Sequence, residues 1–239
     1  MLHFRPLPVL TAVCAVLFAI LIGLGVWQIE RLHWKLGLIA QVTNRLSLPP
    51  LPLDRALALG EAAQYRRVAL TGRFENEKES YVYGTGPDGG PVYHVLTPLV
   101  TGDGRTLIVD RGIVPGELRD PSTRLSGRLM DERRVVGVWR TPDGRGPFTP
   151  APDAAHRIFY SVDVAGIAAA TGVKLAAPVV VEADATPNPG GWPKGGQTKV
   201  AFRNEHLQYA ITWFALAAAL LGIYVAFHIS RGRLKWTTR

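Results

Sequence analysis

Two long apolar stretches constrain this chain more than any other feature of its sequence. Residues 7–29 and 207–229 contain no Asp, Glu, Lys or Arg, and His228 is the only histidine in either stretch. An α-helix of about 20 apolar residues is long enough to cross the hydrocarbon core of a bilayer. Neither stretch has the polar face of a helix on a soluble protein. The sequence therefore predicts two transmembrane helices that flank the rest of the chain.

The first stretch is interpreted as an uncleaved membrane anchor. Its apolar core is longer than the roughly 7–15 residues of a secretory signal peptide, and no small-x-small cleavage site follows it. The chain also lacks an Arg-rich and Ser-rich transit peptide, which favours a bacterial over a mitochondrial protein. The sequence therefore predicts a multi-pass protein of the bacterial inner membrane.

The charge distribution predicts the orientation of the two helices. All 19 Asp and Glu residues lie within residues 30–205, whereas four of the 27 Lys and Arg residues cluster in the last nine positions. Cytoplasmic flanks of transmembrane helices are enriched in Lys and Arg. Arg31 and Lys35 argue weakly for the opposite orientation, but the C-terminal cluster is denser. The net charge of +8 is thus a topology signal rather than a nucleic-acid-binding footprint.

These observations divide the chain into five segments. We expect a cytoplasmic N-terminus (1–6), a first transmembrane helix (7–29), an extracytoplasmic, periplasmic domain (30–205), a second transmembrane helix (207–229) and a basic cytoplasmic tail (230–239). The only cysteine, Cys14, lies in the first helix. The central domain therefore has no disulfide, no thiolate ligand and no Cys-x-x-Cys-His motif for covalent haem attachment.

The central domain shows the two-residue alternation of β-strands. Strands are predicted at residues 67–74, 80–83, 92–100, 106–109, 135–139 and 179–182, and glycine-rich turns separate several of them. Short helices are predicted at 54–64, capped by Asp54, and at 164–171, ended by Gly172. The fold class is an α+β membrane protein whose mostly antiparallel β domain closes as a small barrel or a curled sheet.

Several local predictions accompany this fold. The first helix is expected to continue past the membrane surface to about Arg45, and the proline-rich segment 48–53 to form an extended linker. Asp110 and Arg111 are interpreted as an edge-strand ion pair. No Gly-x-Ser-x-Gly or His-Glu-x-x-His motif is present, and no carboxylate pair is spaced for acid–base catalysis, so we expect a protein that is not an enzyme.

A polar stretch, residues 203–214, opens the second transmembrane helix. His206, Tyr209, Ala210 and Trp213 recur at helical spacing, which predicts an ionisable side chain at the lipid–water boundary with two aromatic side chains below it. At the corresponding end of the first helix, Gln28, Arg31 and Lys35 share one helix face. That face suits an anionic ligand group, lipid phosphates or solvent.

Four motifs together resemble the surfeit locus protein 1 family over almost the whole chain. They are Gly25-x-Trp27-Gln28-x-x-Arg31-x-x-Trp34-Lys35, Tyr65-Arg66-Arg67-Val68-x-x-x-Gly72-x-Phe74, Val109-Asp110-Arg111-Gly112-x-Val114-Pro115 and Asn204-x-His206-Leu207-x-Tyr209-Ala210-x-Thr212-Trp213-Phe214. The last is the most specific. Asp110 and Ile113 depart from the asparagine and the aromatic residue that are more usual there.

The resemblance implies an assembly factor for cytochrome c oxidase that binds haem a and helps to place it in subunit I, with haem a synthase as a further partner. It implies that His206 contacts the haem iron. An imidazole at the lipid boundary suits such a ligand, because the apolar tail can dissolve in lipid while the propionates reach water. The expected haem-binding set is His206, Tyr209, Trp213, Trp27, Gln28, Arg31 and Lys35, with the two cations pairing a propionate.

The sequence also bears on two other functions. A copper chaperone would need Cys or Met ligands outside the membrane, and the central domain has no Cys and only Met130, which argues against it. A scaffold without a cofactor, which docks oxidase subunits in the bilayer, stays open. Small residues along the second helix, namely Ala215, Ala217, Ala218, Ala219 and Gly222, would permit close packing of a partner helix.

Overall fold

The computed structural model describes residues 2–86, 88–142, 144–198 and 204–236. Arg203 and Arg239, which belong to the polar stretch and the basic tail, lie outside the described residues. The helices are α1 (Pro8–Ser47), α2 (Leu53–Leu59), α3 (Val164–Thr171) and α4 (His206–Ser230). The strands are β1 (Leu2–Phe4), β2 (Leu51–Pro52), β3 (Arg67–Phe74), β4 (Ser80–Thr85), β5 (Pro91–Thr101), β6 (Thr106–Pro115), β7 (Arg133–Arg140), β8 (Ile158–Phe159), β9 (Leu175–Ala183) and β10 (Leu234–Trp236).

The chain forms two compact units. One comprises residues 1–41 and 201–239, and the other comprises residues 42–200. The first unit contains α4 and most of α1, and both helices are long and apolar enough to cross a membrane. This confirms the two predicted apolar helices. Helix α1 ends at Ser47, two residues beyond the predicted end at Arg45.

Helices α1 and α4 pack side by side as an antiparallel hairpin. Partly or fully buried residues recur in steps of three and four, the spacing of left-handed helix packing. They are Thr11, Cys14, Phe18, Leu21, Gly25, Gln28, Leu32 and Lys35 on α1, and His206, Ala210, Trp213, Ala217, Leu220, Tyr224 and His228 on α4.

A hydrogen bond joins the two helices near each end of the hairpin. The Thr11 and Tyr224 hydroxyls lie 2.7 Å apart at one end, and the His206 and Gln28 side chains lie 2.8 Å apart at the other. These two contacts are separated by about 26 Å of helix, close to the thickness of the hydrocarbon core. The polar contacts therefore bracket an apolar length suited to a bilayer.

The two chain termini meet at the Thr11–Tyr224 end of this hairpin. Strands β1 and β10 pair antiparallel, with Phe4 opposite Leu234, and the Phe4 ring lies 5.4 Å from that of the buried His228. The sequence predicts no secondary structure for these segments. Three-residue strands at chain ends carry too short an alternation to be recognised.

The second unit is a closed five-stranded barrel in the order β3–β7–β9–β6–β5, with β5 returning to β3. The β6–β9 pair is parallel and the other four barrel pairs are antiparallel. Closure brings Gly72 against β5, where a Cβ atom would lie 2.4 Å from the Val100 carbonyl oxygen. Only glycine permits this approach, so Gly72 is a requirement of the barrel. The structure thus decides between the predicted barrel and curled sheet.

The barrel interior holds the main apolar core. Val68, Leu70, Leu99, Val109 and Trp139 are buried there, and α2 packs against this core beside the first residues of β3. Helix α3 packs on the outer surface of the sheet and ends at Gly172, whose φ of 66° is left-handed as the glycine stop predicts. Strands β4 and β8 extend the sheet beyond β5.

Two local predictions in the barrel domain are wrong. Asp54 does not cap α2, because Pro52 occupies the N-cap and the Asp54 carboxylate bonds the Arg105 guanidinium at 2.6 Å. The segment 48–53 is not purely a linker, since Leu51 and Pro52 pair in parallel with β3. In both cases a partner distant in sequence outcompetes the local pattern.

The interpretation of Asp110 and Arg111 as an edge-strand ion pair is also wrong. Strand β6 is an interior strand, paired to β5 on one side and to β9 on the other. The two side chains have different partners: Asp110 bonds His94, whereas Arg111 bonds Glu79.

Candidate functional site

The polar end of the helix hairpin is built on His206 and Gln28. His206 is the first residue of α4, and its Nδ1 atom lies 2.8 Å from Oε1 of Gln28, which is only 8% exposed. Glu205 occupies the N-cap position without a side-chain capping bond. The His206 ring therefore bonds across to the neighbouring helix instead of capping its own.

This contact sets the tautomer of His206. A carbonyl oxygen can only accept a hydrogen bond, so Nδ1 of His206 donates and Nε2 carries the free lone pair of the neutral ring. Metal-binding histidines are commonly oriented in this way, with one ring nitrogen donating to a fixed acceptor and the other presented to the metal. The arrangement suits an axial ligand to iron.

Gly25 leaves room for a ring of α4 about one turn away from this bond. A Cβ atom at Gly25 would lie 2.6 Å from the Phe214 ring, closer than side chains normally approach. The missing side chain lets α4 lie close to α1 on the same face of α1 as Gln28. Small residues at helix contacts in membranes have this effect, because they allow the backbones to approach. Gly25 thus supports the reach from Gln28 to His206.

The other predicted site residues differ in how far they are buried. On α4, Trp213 is half-buried beside the buried Ala210, whereas Tyr209 is 52% exposed. The four residues predicted to share one face are thus split between the helix contact and the outer surface. On α1, Trp27 is 51% exposed and Lys35 is half-buried.

The described structure does not bring Arg31 to His206. The Arg31 guanidinium lies 4.4 Å from the ring centroid of Trp34, in a cation–π contact within α1. Of the seven predicted site residues, His206 and Gln28 are hydrogen-bonded to each other, and Arg31 lies one turn further along α1.

The barrel contains a second polar cluster that the sequence reasoning missed. Arg111, 2% exposed, donates to Oε1 of Glu79 at 3.3 Å, to Asn76 and to the carbonyl oxygen of Gly127. Arg124 donates to both carboxylate oxygens of the same Glu79, at 3.3 and 2.5 Å. Two buried cations thus share one buried anion. The available signal was Arg111 itself, a cation in a strand that is otherwise mostly apolar.

The environment of this cluster shifts two pKa values. Burial, opposed by the Glu79 carboxylate and reinforced by the neighbouring Arg124, lowers the pKa of Arg111 to about 10. Burial and the same carboxylate raise the pKa of the Tyr81 hydroxyl, which donates to Glu79, to about 12. Even the lowered value leaves Arg111 charged at neutral pH.

A separate pair lies on the other face of β6. Asp110 bonds Nδ1 of His94 at 2.7 Å through one oxygen and accepts from the Gly112 amide at 2.9 Å through the other. Gly112 has a φ of 113°, and a Cβ there would lie 2.0 Å from the Lys194 carbonyl oxygen. The glycine is needed for the bridge between β6 and the loop that contains Lys194.

Comparison with known proteins places this architecture in a family. The SURF1 family matches residues 15–218, a span that begins in α1, contains the entire barrel and ends in α4. The chain belongs to the SURF1 family. Surfeit locus protein 1 from Takifugu rubripes is 35% identical over 225 residues, covering 87% of this chain and 92% of that protein.

Two other animal proteins give the same result. Surfeit locus protein 1 from Homo sapiens is 35% identical over 213 residues, with 82% of this chain and 70% of that protein covered. The SURF1-like protein of Drosophila melanogaster is 35% identical over 218 residues, with the same two coverages. The resemblance inferred from the four motifs is therefore confirmed.

Proposed function

We propose that this protein is an assembly factor for haem–copper (cytochrome c) oxidase that holds haem a at the polar end of its helix hairpin and passes it to subunit I. The observation that carries the proposal is the His206–Gln28 hydrogen bond, which presents Nε2 of His206 as a ligand. Membership of the SURF1 family and the resemblance of the four motifs supply the biological context.

The residues present fit such a cargo. His206 would supply an axial ligand, and Gln28 would hold its ring in the required tautomer and orientation. The exposed aromatic rings of Trp27 and Tyr209 offer apolar surface on the same end of the hairpin. Arg31, one turn from Gln28, would pair a propionate by exchanging its contact with Trp34 for a charge-assisted hydrogen bond.

The proposed role is non-enzymatic. Haem a would contribute its iron and a tail soluble in lipid, and the chain would contribute a ligand and an orientation. Subunit I of the oxidase is the proposed recipient and haem a synthase the proposed donor. Because release to subunit I must follow binding, a single histidine ligand suits a carrier better than a permanently enclosed site.

The proposed location is the bacterial inner membrane, with both termini cytoplasmic and the barrel periplasmic. Pairing of β1 with β10 holds the termini at one end of the hairpin, together with Arg5, Arg231, Arg233 and Lys235. Two transmembrane helices would place both termini on the same side of the membrane, in agreement with this pairing. The positive charge at this end of the hairpin agrees with a cytoplasmic location. His206 would then lie at the periplasmic surface.

The second candidate function, a scaffold without haem, is favoured by the outer face of α4. Ala215, Ala218, Ala219 and Gly222 are exposed, whereas Ala217 is buried against α1. Exposed small residues would let a helix of an oxidase subunit pack closely. Such a protein would stabilise the subunit while haem a arrived by another route.

An absorption spectrum of the full-length protein purified from cells that synthesise haem a separates the two functions. We expect near-stoichiometric haem a in the wild type, loss of most of it in His206→Ala, and retention in the matched control His33→Ala, which removes an exposed histidine of α1. Gln28→Leu should keep some haem but alter its spectrum, because the imidazole loses its orienting acceptor. Wild-type occupancy and spectrum in His206→Ala would disprove the ligand assignment, and absence of haem from the wild type would favour the scaffold.

A further inference from the structure

One end of the β-barrel is open and forms a cavity of about 270 Å³. We call this cavity the barrel mouth; it lies where β3 ends and β7 begins, at the opposite end from α2. Its walls are partly apolar, because Phe74, Leu129, Val135 and Ala183 line it and also pack on the barrel core. Barrel mouths are common positions for small-molecule sites.

The barrel mouth is rich in arginine. Arg111 forms part of its inner wall, and Arg133 and Arg134, both exposed, lie at its rim with Asp184 as the one carboxylate among the lining residues. Asp184 is already engaged, since one oxygen accepts from Thr186 and the other lies 3.7 Å from the Arg67 guanidinium. Arg133 lies 3.7 Å from Asp131, a carboxylate outside the cavity lining, so the excess positive charge of the cavity comes from Arg111 and Arg134.

The buried cluster behind the wall adds to this imbalance. Glu79 is the one carboxylate within ion-pair distance of both Arg111 and Arg124, so one positive charge in the cluster is left without a matching anion among the described residues. The Nε atom of Arg111 is also buried without a hydrogen-bond partner in the described part of the chain. Burial of an excess cation is costly unless an anion compensates it. A stably folded barrel that keeps such a cluster beside an open cavity is suited to receive an anion there.

We propose that the barrel mouth binds a small carboxylate with a flat or branched apolar body. The apolar body would lie against Phe74, Leu129 and Val135, and the carboxylate would take a two-pronged hydrogen bond from Arg134, in the field of Arg111. The volume lies just below the range of about 300–1,000 Å³ for drug-sized ligands, so the cavity takes one or two fused rings and not a macrocycle. The site is therefore separate from the proposed haem site and does not depend on it.

Binding of naphthoate to the full-length protein in detergent tests this proposal. The matched probe is naphthamide, which has the same rings without the charge, and titration into protein-free detergent corrects for uptake by micelles. We expect wild-type protein to bind naphthoate at least about tenfold more tightly than naphthamide, because a charge-assisted bond is worth more than a neutral one.

Three variants locate the binding. Arg134→Ala should weaken naphthoate binding about tenfold and leave naphthamide binding unchanged. Ala183→Leu should weaken both probes by filling the cavity. Arg145→Ala, which removes the same charge from an exposed loop outside the barrel mouth, should change neither.

Three results would contradict binding at the barrel mouth. Equal affinities for naphthoate and naphthamide, equal effects of Arg134→Ala and Arg145→Ala, or unchanged binding in a folded Ala183→Leu variant would each overturn the proposal. Thermal unfolding of every variant shows whether it is folded. If Ala183→Leu does not fold, the comparison of Arg134→Ala with Arg145→Ala still decides, since both substitutions lie on exposed residues.

Discussion

Removal of the shared carboxylate in the buried Arg111–Glu79–Arg124 cluster should destabilise the barrel severely. Glu79 accepts two hydrogen bonds from Arg124, one from Arg111 and one from the Tyr81 hydroxyl. Glu79→Gln keeps the size of the side chain but leaves two buried guanidinium groups without an anion. It also turns an amide NH₂ group toward hydrogen-bond donors, where the wild type has only acceptor oxygens.

The expected loss is about 3–5 kcal/mol of the free energy of unfolding, the usual cost of removing one partner from a buried ion pair. That is a large fraction of the total stability of about 5–15 kcal/mol typical of a domain. For a domain of this size it corresponds to a fall in melting temperature of about 6–20 °C. The size of the effect follows from burial, because both guanidinium groups are nearly inaccessible to water.

Denaturant unfolding of the full-length protein in detergent measures this loss, with tryptophan fluorescence as the signal; the fully buried Trp139 reports on the barrel core. Glu77→Gln is the matched control. The Glu77 carboxylate is 81% exposed and pairs with Arg128, and exposed pairs contribute only about 0–1 kcal/mol. Adding Arg124→Met to Glu79→Gln should recover part of the loss, since only one unpaired cation then stays buried.

A loss below about 1 kcal/mol for Glu79→Gln, or a loss equal to that of Glu77→Gln, would refute the reasoning. It would mean that water or a rearranged loop compensates the two cations. A double variant less stable than Glu79→Gln alone would show that Arg124 contributes mainly through packing and through its bonds to backbone carbonyls.

Three further predictions follow from individual contacts. Gly25→Ile should push the Phe214 ring away from α1 and reduce cross-linking of Gln28→Cys to His206→Cys by a short bifunctional maleimide in a Cys14→Ser background, measured by gel shift. Gly112→Ala should lower the amount of folded protein in the membrane, measured by protease resistance, because its left-handed φ and the contact with a backbone oxygen admit no Cβ. Burial raises the pKa of the Glu182 carboxyl group, so the folded protein favours its protonated form. At neutral pH the ionised carboxylate therefore destabilises the fold. The stability of wild type relative to Glu182→Gln, from denaturant unfolding, should therefore increase as the pH falls from 7 toward 4.5.

Each of these predictions has a control or a contrary result. Gly23→Ile places the same side chain where nothing lies within 4 Å and should leave the cross-linking yield unchanged. Gly116→Ala, also in open space, should fold normally, and equal folding of Gly112→Ala would contradict the steric argument. A stability difference between wild type and Glu182→Gln that shrinks or stays constant on acidification would show that Arg140, 3.4 Å away, outweighs the burial of the carboxylate.

Much of the fold was accessible from local sequence patterns. The alternation at 67–74 matches β3 residue for residue, and the glycine turn after residue 101 lies between β5 and β6 as predicted. The glycine after α3 ends that helix in the left-handed conformation. Patterns of this kind depend on neighbours within a few residues, and that is why sequence reasoning finds them.

Local patterns failed where a distant partner decided the outcome. Asp54 has the sequence context of an N-cap, yet its carboxylate bonds Arg105, some fifty residues later in the chain. Arg111 was assigned to a sheet edge because nothing nearby in sequence reveals that β6 is flanked on both sides. Its true partner, Glu79, comes from the segment before β4. Such pairs are set by the order of strands in the sheet, which periodicity alone does not encode.

The sequence by itself determined that this chain has two membrane-length helices around a β domain, because hydrophobic length and two-residue alternation are local properties. The resemblance of its motifs to a known family made His206 the expected haem ligand. Only the tertiary structure decided that Gln28, 178 residues away, holds the His206 ring, that β5 returns to β3 to close the barrel, and that Arg111 and Glu79 lie buried together. Each of these depends on helices or strands distant in sequence coming into contact, and that depends on packing of the whole chain.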